Sequence, residues 1–234
     1  CAMACEFCAT GTEGFTRNLL PGEIVQQVLT VQRDFGMRVS NVGAMGQGEP
    51  FLNYQNLLNA LRILNAADAS SIGARHITVS TCGIPEGIAA FSHEPEQFTL
   101  ALSLHSAVQR TRDVLMPRCT AYPLTALHDA LHSYNQVSGR RVSLEYLMID
   151  NVNVDVEHLE ALESFCRGLH VHVNLLPLNS VQGSPFQPCD KALLTTWKSS
   201  LSNAGIETSV RDSRGGDIDG ACGQLKTSRH HASN

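Results

Sequence analysis

No stretch of the chain approaches the ~20 consecutive apolar side chains that a bilayer-crossing helix needs. Residues 1–20 also lack the basic start and apolar run of a secretory signal. Positive charge is in short supply: 17 Lys and Arg face 22 Asp and Glu, a net charge of −5. Such a chain has no overall field that attracts nucleic acid, so any RNA partner must be met by local arginines or by a further segment. Eight cysteines in 234 residues are too few for a disulfide scaffold, and three of them crowd into the first eight positions, which favours metal binding and a reducing, cytoplasmic setting. Internal repeats, low-complexity tracts and domain boundaries are absent, while 43% hydrophobic residues suffice for one substantial core.

What is present alternates between two periods. Short β-branched runs predict buried strands at Val39–Ala44, His76–Thr81, Thr99–Leu104, Val142–Met148 and Val171–Leu176. Between them lie helical stripes. Ile24, Val28, Val31 and Phe35 share a face, with Gly36 as C-cap; Tyr54, Leu57, Leu58, Leu61 and Leu64 form the next. Leu124, Leu127, Leu131 and Tyr134 make a third, Leu159, Leu162 and Phe165 a fourth. The last is Leu193, Trp197 and Leu201, with Asp190 capping its start and Gly205 its end. Strand–helix–strand alternation implies parallel strands in an open sheet or a barrel. The tail 226–234 is polar and aperiodic and is expected to be disordered, leaving 1–225 as a single unit.

Polar and glycine residues gather just after the strands: Gly46–Pro50, Ser80–Gly83, Ser103–His105 and Asn179. The C-terminal ends of parallel strands share one mouth, where ligands bind. Cys1, Cys5 and Cys8 precede the first strand–helix unit in a short loop. Structural zinc usually takes four protein ligands from two paired clusters, and no second pair exists here. Three thiolates suit a 4Fe-4S cluster with one iron open to a further ligand, with zinc the alternative on spacing alone.

The run Cys1-Ala-Met-Ala-Cys5-Glu-Phe-Cys8, in phase with Gly46-Gln-Gly-Glu-Pro50, resembles the defining motifs of the radical S-adenosylmethionine (SAM) enzymes. That resemblance implies an incomplete (βα)6 partial TIM-type barrel with the first strand missing. It also implies a 4Fe-4S cluster on Cys1, Cys5 and Cys8, whose open iron chelates SAM and whose electron cleaves it to a 5′-deoxyadenosyl radical.

The likeness narrows to the RlmN/Cfr group of RNA adenine methyltransferases. Cys8–Leu19, Ser80-Thr-Cys-Gly83, Ser103-Leu-His105, Glu145-Tyr-Leu-Met148, Asn174–Asn179 and above all Arg214–Leu225, ending Asp-Ile-Asp-Gly-Ala-Cys-Gly-Gln-Leu, are similar to that group's motifs. The group's chemistry makes Cys222 the methyl carrier: SAM methylates its thiolate, the radical abstracts hydrogen from the S-methyl group, and the carbon radical adds to adenine. An sp² adenine carbon is too weak a nucleophile to attack SAM directly, hence the carrier. The resemblance places Gly48, Glu49, Ser80, Ser103, Leu104, His105 and Asn179 around SAM, and makes Arg17, Arg211 and Arg214 candidates for phosphate contact. It implies carbon 2 of adenosine in 23S rRNA and in tRNA as the target, with carbon 8, or a radical SAM enzyme acting on a substrate other than RNA, as the alternatives. An electron donor such as a flavodoxin, a monomeric state and no membrane partner also follow.

Each residue has a plainer role open to it. Serine or asparagine after a strand is ordinary turn chemistry. His105 alone is a hydrogen-bonded structural histidine, Cys82, Cys119 and Cys166 are small buried thiols, and Cys189 is a loop residue. Members of the group carry a further cysteine, an acidic proton acceptor and a small RNA-binding domain upstream of the cluster motif, and often methionine where Gln47 stands. The chain opens at Cys1 without these, so it reads as a piece that binds cluster and SAM without turning over.

Overall fold

The computed structural model describes residues 1–179, 183–211 and 223–224. Six strands pair only in parallel and in chain order: β1 Val42–Ala44, β2 Ile77–Thr81, β3 Thr99–Ser103, β4 Val142–Met148, β5 Val171–Pro177 and β6 Thr208–Val210. Seven α-helices connect them among the described residues: α1 Pro21–Phe35, α2 Tyr54–Asn65, α3 Pro85–Ser92, α4 Gln109–Leu115, α5 Leu124–Ser138, α6 Val156–Cys166 and α7 Lys191–Asn203. Sequential parallel order with helical crossovers is the partial-barrel arrangement, left open because β1 and β6 each have one neighbour.

The core lies between sheet and helices. Leu100, Leu102, Leu144, Val173 and Leu175 are fully buried, and Leu61, Leu64, Leu127, Leu131, Leu162 and Leu201 meet them from the helical stripes. Local signals act as the sequence predicts: Gly36 turns left-handed after α1 at φ 61°, and the Asp190 carboxylate accepts from the Ala192 N–H at the start of α7.

Three details differ from the sequence expectation. β1 begins at Val42, not Val39, because an edge strand is held only where its one neighbour bonds it, Val42 to Ala44 opposite Ile77 to Val79. The stripe on α1 does not reach the core: no residue of that helix is buried, and Phe35 is 74% exposed. α1 packs on α2 beside the edge strand β1, and among the described residues no strand covers its far side. β6 has no counterpart among the expected strands; three half-buried residues carry too little periodicity to announce it. Among the described residues, no helix is long and apolar enough to cross a membrane.

Candidate active site

The loop after β1 carries the glycine-rich turn. Gln47 has φ 56°, an uncommon conformation for a side chain with a Cβ, and a Cβ placed on Gly48 would meet nothing within 4 Å. A bare, exposed stretch of backbone therefore faces open space there. Glu49 turns the other way and is buried at 8% exposure. One carboxylate oxygen accepts from the Phe51 N–H (3.0 Å) and the Thr81 hydroxyl (2.8 Å); the other accepts from the Cys82 N–H (2.7 Å). Glu49 thus binds the β1 loop to the end of β2. Glu49→Ala strands three buried donors, each costing ~1–3 kcal/mol, and is expected to destabilise the chain by at least about 3 kcal/mol in denaturant unfolding.

Cys1, Cys5 and Cys8 are half-buried free thiols. The Cys8 N–H donates to the Cys5 carbonyl (3.1 Å) and the Gly11 N–H to the Cys8 carbonyl (2.9 Å). At Gly11 only hydrogen fits, since a Cβ would come within 2.9 Å of the Cys5 carbonyl oxygen. Two longer-range bonds fix this loop over the barrel mouth: the Glu6 N–H to the Leu115 carbonyl of α4 (3.0 Å), and the Ala9 N–H to the Gly223 carbonyl (2.7 Å). Burial pushes the Cys5 thiol up to about 12, with the Cys119 and Cys8 sulfurs adding to the effect and the Arg112 charge opposing it.

Across the mouth runs a polar row, one residue from each of five adjacent strands. Ser80 on β2 lies 3.3 Å from Ser103 on β3, hydroxyl to hydroxyl, and Ser103 stands beside Glu145 in register. Glu145 accepts from the Asn174 amide (2.7 Å), whose oxygen accepts from the Ser209 hydroxyl (2.7 Å). Burial raises the Glu145 pKa, offset by the Asn174 hydrogen bond and the Arg211 charge. Glu145, Asn174 and Ser209 are not among the sequence-derived site residues, although the first two sit in motifs that the sequence singles out; a polar residue at the middle of an otherwise apolar strand is the signal that could have found Glu145 and Asn174.

Leu104 and His105 follow β3, and both backbone N–H groups donate to the Glu145 carbonyl. His105 is buried at φ 57°, its ring edge-to-face with Phe7 of the cysteine loop, centroids 4.8 Å apart. Its Nδ1 accepts from the Leu147 N–H (3.1 Å) and its carbonyl from the Asn153 amide (2.6 Å). Burial, then the Arg112 charge, pulls His105 down to about 3. The unfolded imidazole therefore takes a proton first on acidification. The stabilisation is complete above pH ~6.5 and is lost as pH falls from there toward 3. Between pH 6.5 and 5 the chain should lose about 2 kcal/mol more stability than His105→Asn, measured by urea unfolding at each pH.

Ser80, Ser103, Leu104 and His105 are thus brought together, with Glu49 bracing the adjacent loop and Gly48 open beside it. Asn179 lies half-buried beyond β5. Cys222 and Arg214 lie outside the described residues. Arg17 is engaged at the surface by Glu23 (2.6 and 2.8 Å), and Arg211 is exposed just past β6. Cys82, Cys119 and Cys166 are buried as expected, and Cys189, although in a loop, is buried too.

An open parallel barrel whose mouth is crossed by a three-cysteine loop defines a class, and the Radical SAM superfamily model matches residues 1–162. The chain belongs to the radical SAM superfamily, whose cofactors are a 4Fe-4S cluster and SAM. Within it, the chain is 44% identical to the "Probable dual-specificity RNA methyltransferase RlmN" of a Synechococcus species, covering 99% of this chain and 67% of that protein. The protein of the same name from Clostridium novyi is 41% identical over 97% of this chain and 66% of its own length. A crystal structure of a radical SAM methyltransferase from Sphaerobacter thermophilus superposes with a TM-score of 0.93 at 42% identity, over 97% of this chain and 67% of that one. The chain therefore spans about two thirds of the length of the relatives it matches.

The residues present fit these cofactors. Among the described residues, the ligand atoms of Asp155, Glu157 and His158 converge within 4.8 Å. Asp155 and His158 are occupied with each other at the start of α6. Beneath the cysteine loop, Arg112 is fully buried, and its Nε and Nη1 have no acceptor among the described residues. Buried donors without partners want an anion.

Proposed function

We propose that this chain is the cluster- and SAM-binding core of an enzyme that methylates carbon 2 of adenosine in 23S rRNA and in tRNA, with Cys222 as the methyl carrier. The observation that carries the proposal is the 2.7 Å bond from the Ala9 N–H to the Gly223 carbonyl. It ties the residue after Cys222 to the residue after Cys8, so the carrier's neighbour is anchored at the cluster loop. The likeness to proteins named as RNA methyltransferases over nearly the whole chain supports the substrate class.

In this reading Cys1, Cys5 and Cys8 hold the cluster. Gly48, Glu49, Ser80, Ser103, Leu104, His105 and Asn179 shape the SAM site. When bound, the two cofactors supply a methyl group and a carbon-centred radical. The chain's own work is placement. The bare backbone at Gly48 leaves room for the amino-acid end of SAM, and the Ser80–Ser103 hydroxyls lie at the barrel mouth. Neutral His105 fixes the β3 turn and packs against Phe7 of the cysteine loop. Holding carrier and base in one dry alignment converts an improbable encounter into a local one.

Arg211 and Arg214 are candidate phosphate contacts, as is Arg17 once released from Glu23. A flavodoxin-type electron donor, a cytoplasmic setting, a monomeric state and one catalytic unit over 1–225 complete the proposal; the tail 226–234 lies outside the described residues. Mass spectrometry of RNA from cells with and without the gene tests it. Loss of 2-methyladenosine on deletion is the expected result; an unchanged content of that nucleoside, or loss of the 8-methyl isomer instead, overturns the assignment.

A further inference from the structure

We infer that Arg112 is a positioning residue for the electron-transfer step: its buried guanidinium compensates the charge of the cluster held by Cys1, Cys5 and Cys8 and raises that cluster's reduction potential. The inference rests on the cluster reading above and goes beyond it. Nothing about an arginine on a seven-residue helix distinguishes it from a solvated surface cation, yet Arg112 is 0% exposed. Its Nη2 donates to the Cys82 carbonyl (2.5 Å), and Nε and Nη1 are left without acceptors.

The nearby carboxylate makes no hydrogen bond to it among the described residues. Glu49 is occupied with Phe51, Thr81 and the other side of the same residue, the Cys82 N–H. A buried, unpaired cation costs several kcal/mol, so something anionic belongs beside it. The candidate is the centre that the cysteine loop would hold. The cysteine loop is bonded to the helix that carries Arg112 through Glu6 and the Leu115 carbonyl, and the Arg112 charge acts on the Cys5 sulfur. A thiolate-ligated cluster gains negative charge on reduction. A fixed cation and N–H donors near its sulfurs favour the reduced form, the means by which proteins set such potentials. Cys119, in the same buried group, is the rival counter-ion: its pKa is lowered by a hydrogen bond from Cys82 and, more weakly, by Arg112. If Cys119 alone balanced the arginine, the cluster would not feel its loss.

The test compares the reconstituted chain with Arg112→Gln and Arg112→Lys under anaerobic conditions, first by iron and sulfide content and then by an EPR-monitored redox titration. With the glutamine variant, cluster content is expected to match the parent, while the ratio of reduced to oxidised cluster at a given potential falls about tenfold, a shift of about 59 mV for one electron. The lysine variant, which keeps the charge, should stay within about threefold of the parent by the same one-electron relation. Overlapping titration curves for parent and glutamine variant overturn the inference and leave the cluster reading intact. A parent that takes up no iron or sulfide overturns both. Should the glutamine variant not fold, pulsed EPR of the parent labelled with ¹⁵N-arginine decides. A nitrogen coupling to the reduced cluster that disappears in Arg112→Lys supports the inference, and an absent or unchanged coupling contradicts it.

Discussion

Cys5→Ala is expected to give a folded chain that no longer holds the cluster. Cys5 is the middle ligand of the proposed three, and burial raises its thiol to about 12 when no metal is bound. A thiol in that state is protonated at neutral pH, and binding a metal centre must displace the proton. The Arg112 charge, which opposes the rise of that thiol, favours the exchange. Altering an outer-shell partner of a metal ligand typically costs about 10–100-fold in affinity, so removing the ligand itself should cost at least about 100-fold. After anaerobic reconstitution, the brown absorbance and the iron and sulfide content should fall to background. Folding should survive, because the loop is pinned by backbone bonds from Glu6, Cys8 and Ala9 that alanine leaves in place. Circular dichroism like that of the parent, with no iron, is the expected pair of results. Undiminished iron would remove Cys5 from the ligand set.

The second large effect belongs to Cys222→Ala, tested in cells by complementing the gene deletion. If Cys222 carries the methyl group, its thiolate is the nucleophile that accepts it, and alanine leaves nothing to methylate. Removing an essential nucleophile costs orders of magnitude; a fall in methylated adenosine of at least about 1,000-fold, to the background of the deletion, is expected. Cluster content should not change, since Cys222 is not one of the three ligands. That separation gives the experiment its force. Loss of methylation with a full cluster assigns Cys222 to methyl transfer, whereas retained methylation directs the chemistry to some other acceptor and places the protein with radical SAM enzymes that need no carrier.

The strand–helix alternation was legible because its elements are long or strongly patterned. β4, β5 and the stripes of α2, α5 and α7 carry enough apolar residues to declare their period, and the mouth of the barrel follows from where those strands end. The short elements were not legible: α3 has eight residues, α4 seven and β6 three, too few for a periodic signal. The stripe on α1 misled for a different reason. Amphipathicity records that a face is suited to burial, not that something buries it, and α1 lies beyond the last strand of an open sheet.

The site divides along the same line. Its cysteines, the Gly48 turn and the strand-end Ser80, Ser103 and His105 were visible because motif and position agreed. Glu49 was visible as a motif residue, but its bonds to Phe51, Thr81 and Cys82 were not, since they depend on how two loops meet. Arg112 was invisible. One-dimensional sequence does not distinguish a buried cation from a surface one, and only the packing of α4 under the cysteine loop reveals that it lacks a partner.

The most direct measurement is the EPR spectrum of the dithionite-reduced cluster in the reconstituted chain, recorded before and after adding SAM. Three thiolates leave one iron with a vacant position, so the account predicts that SAM changes the g-values and that isotopes in its amino and carboxylate groups couple to the cluster. A spectrum identical with and without SAM, in protein carrying a full complement of iron and sulfide, would contradict it.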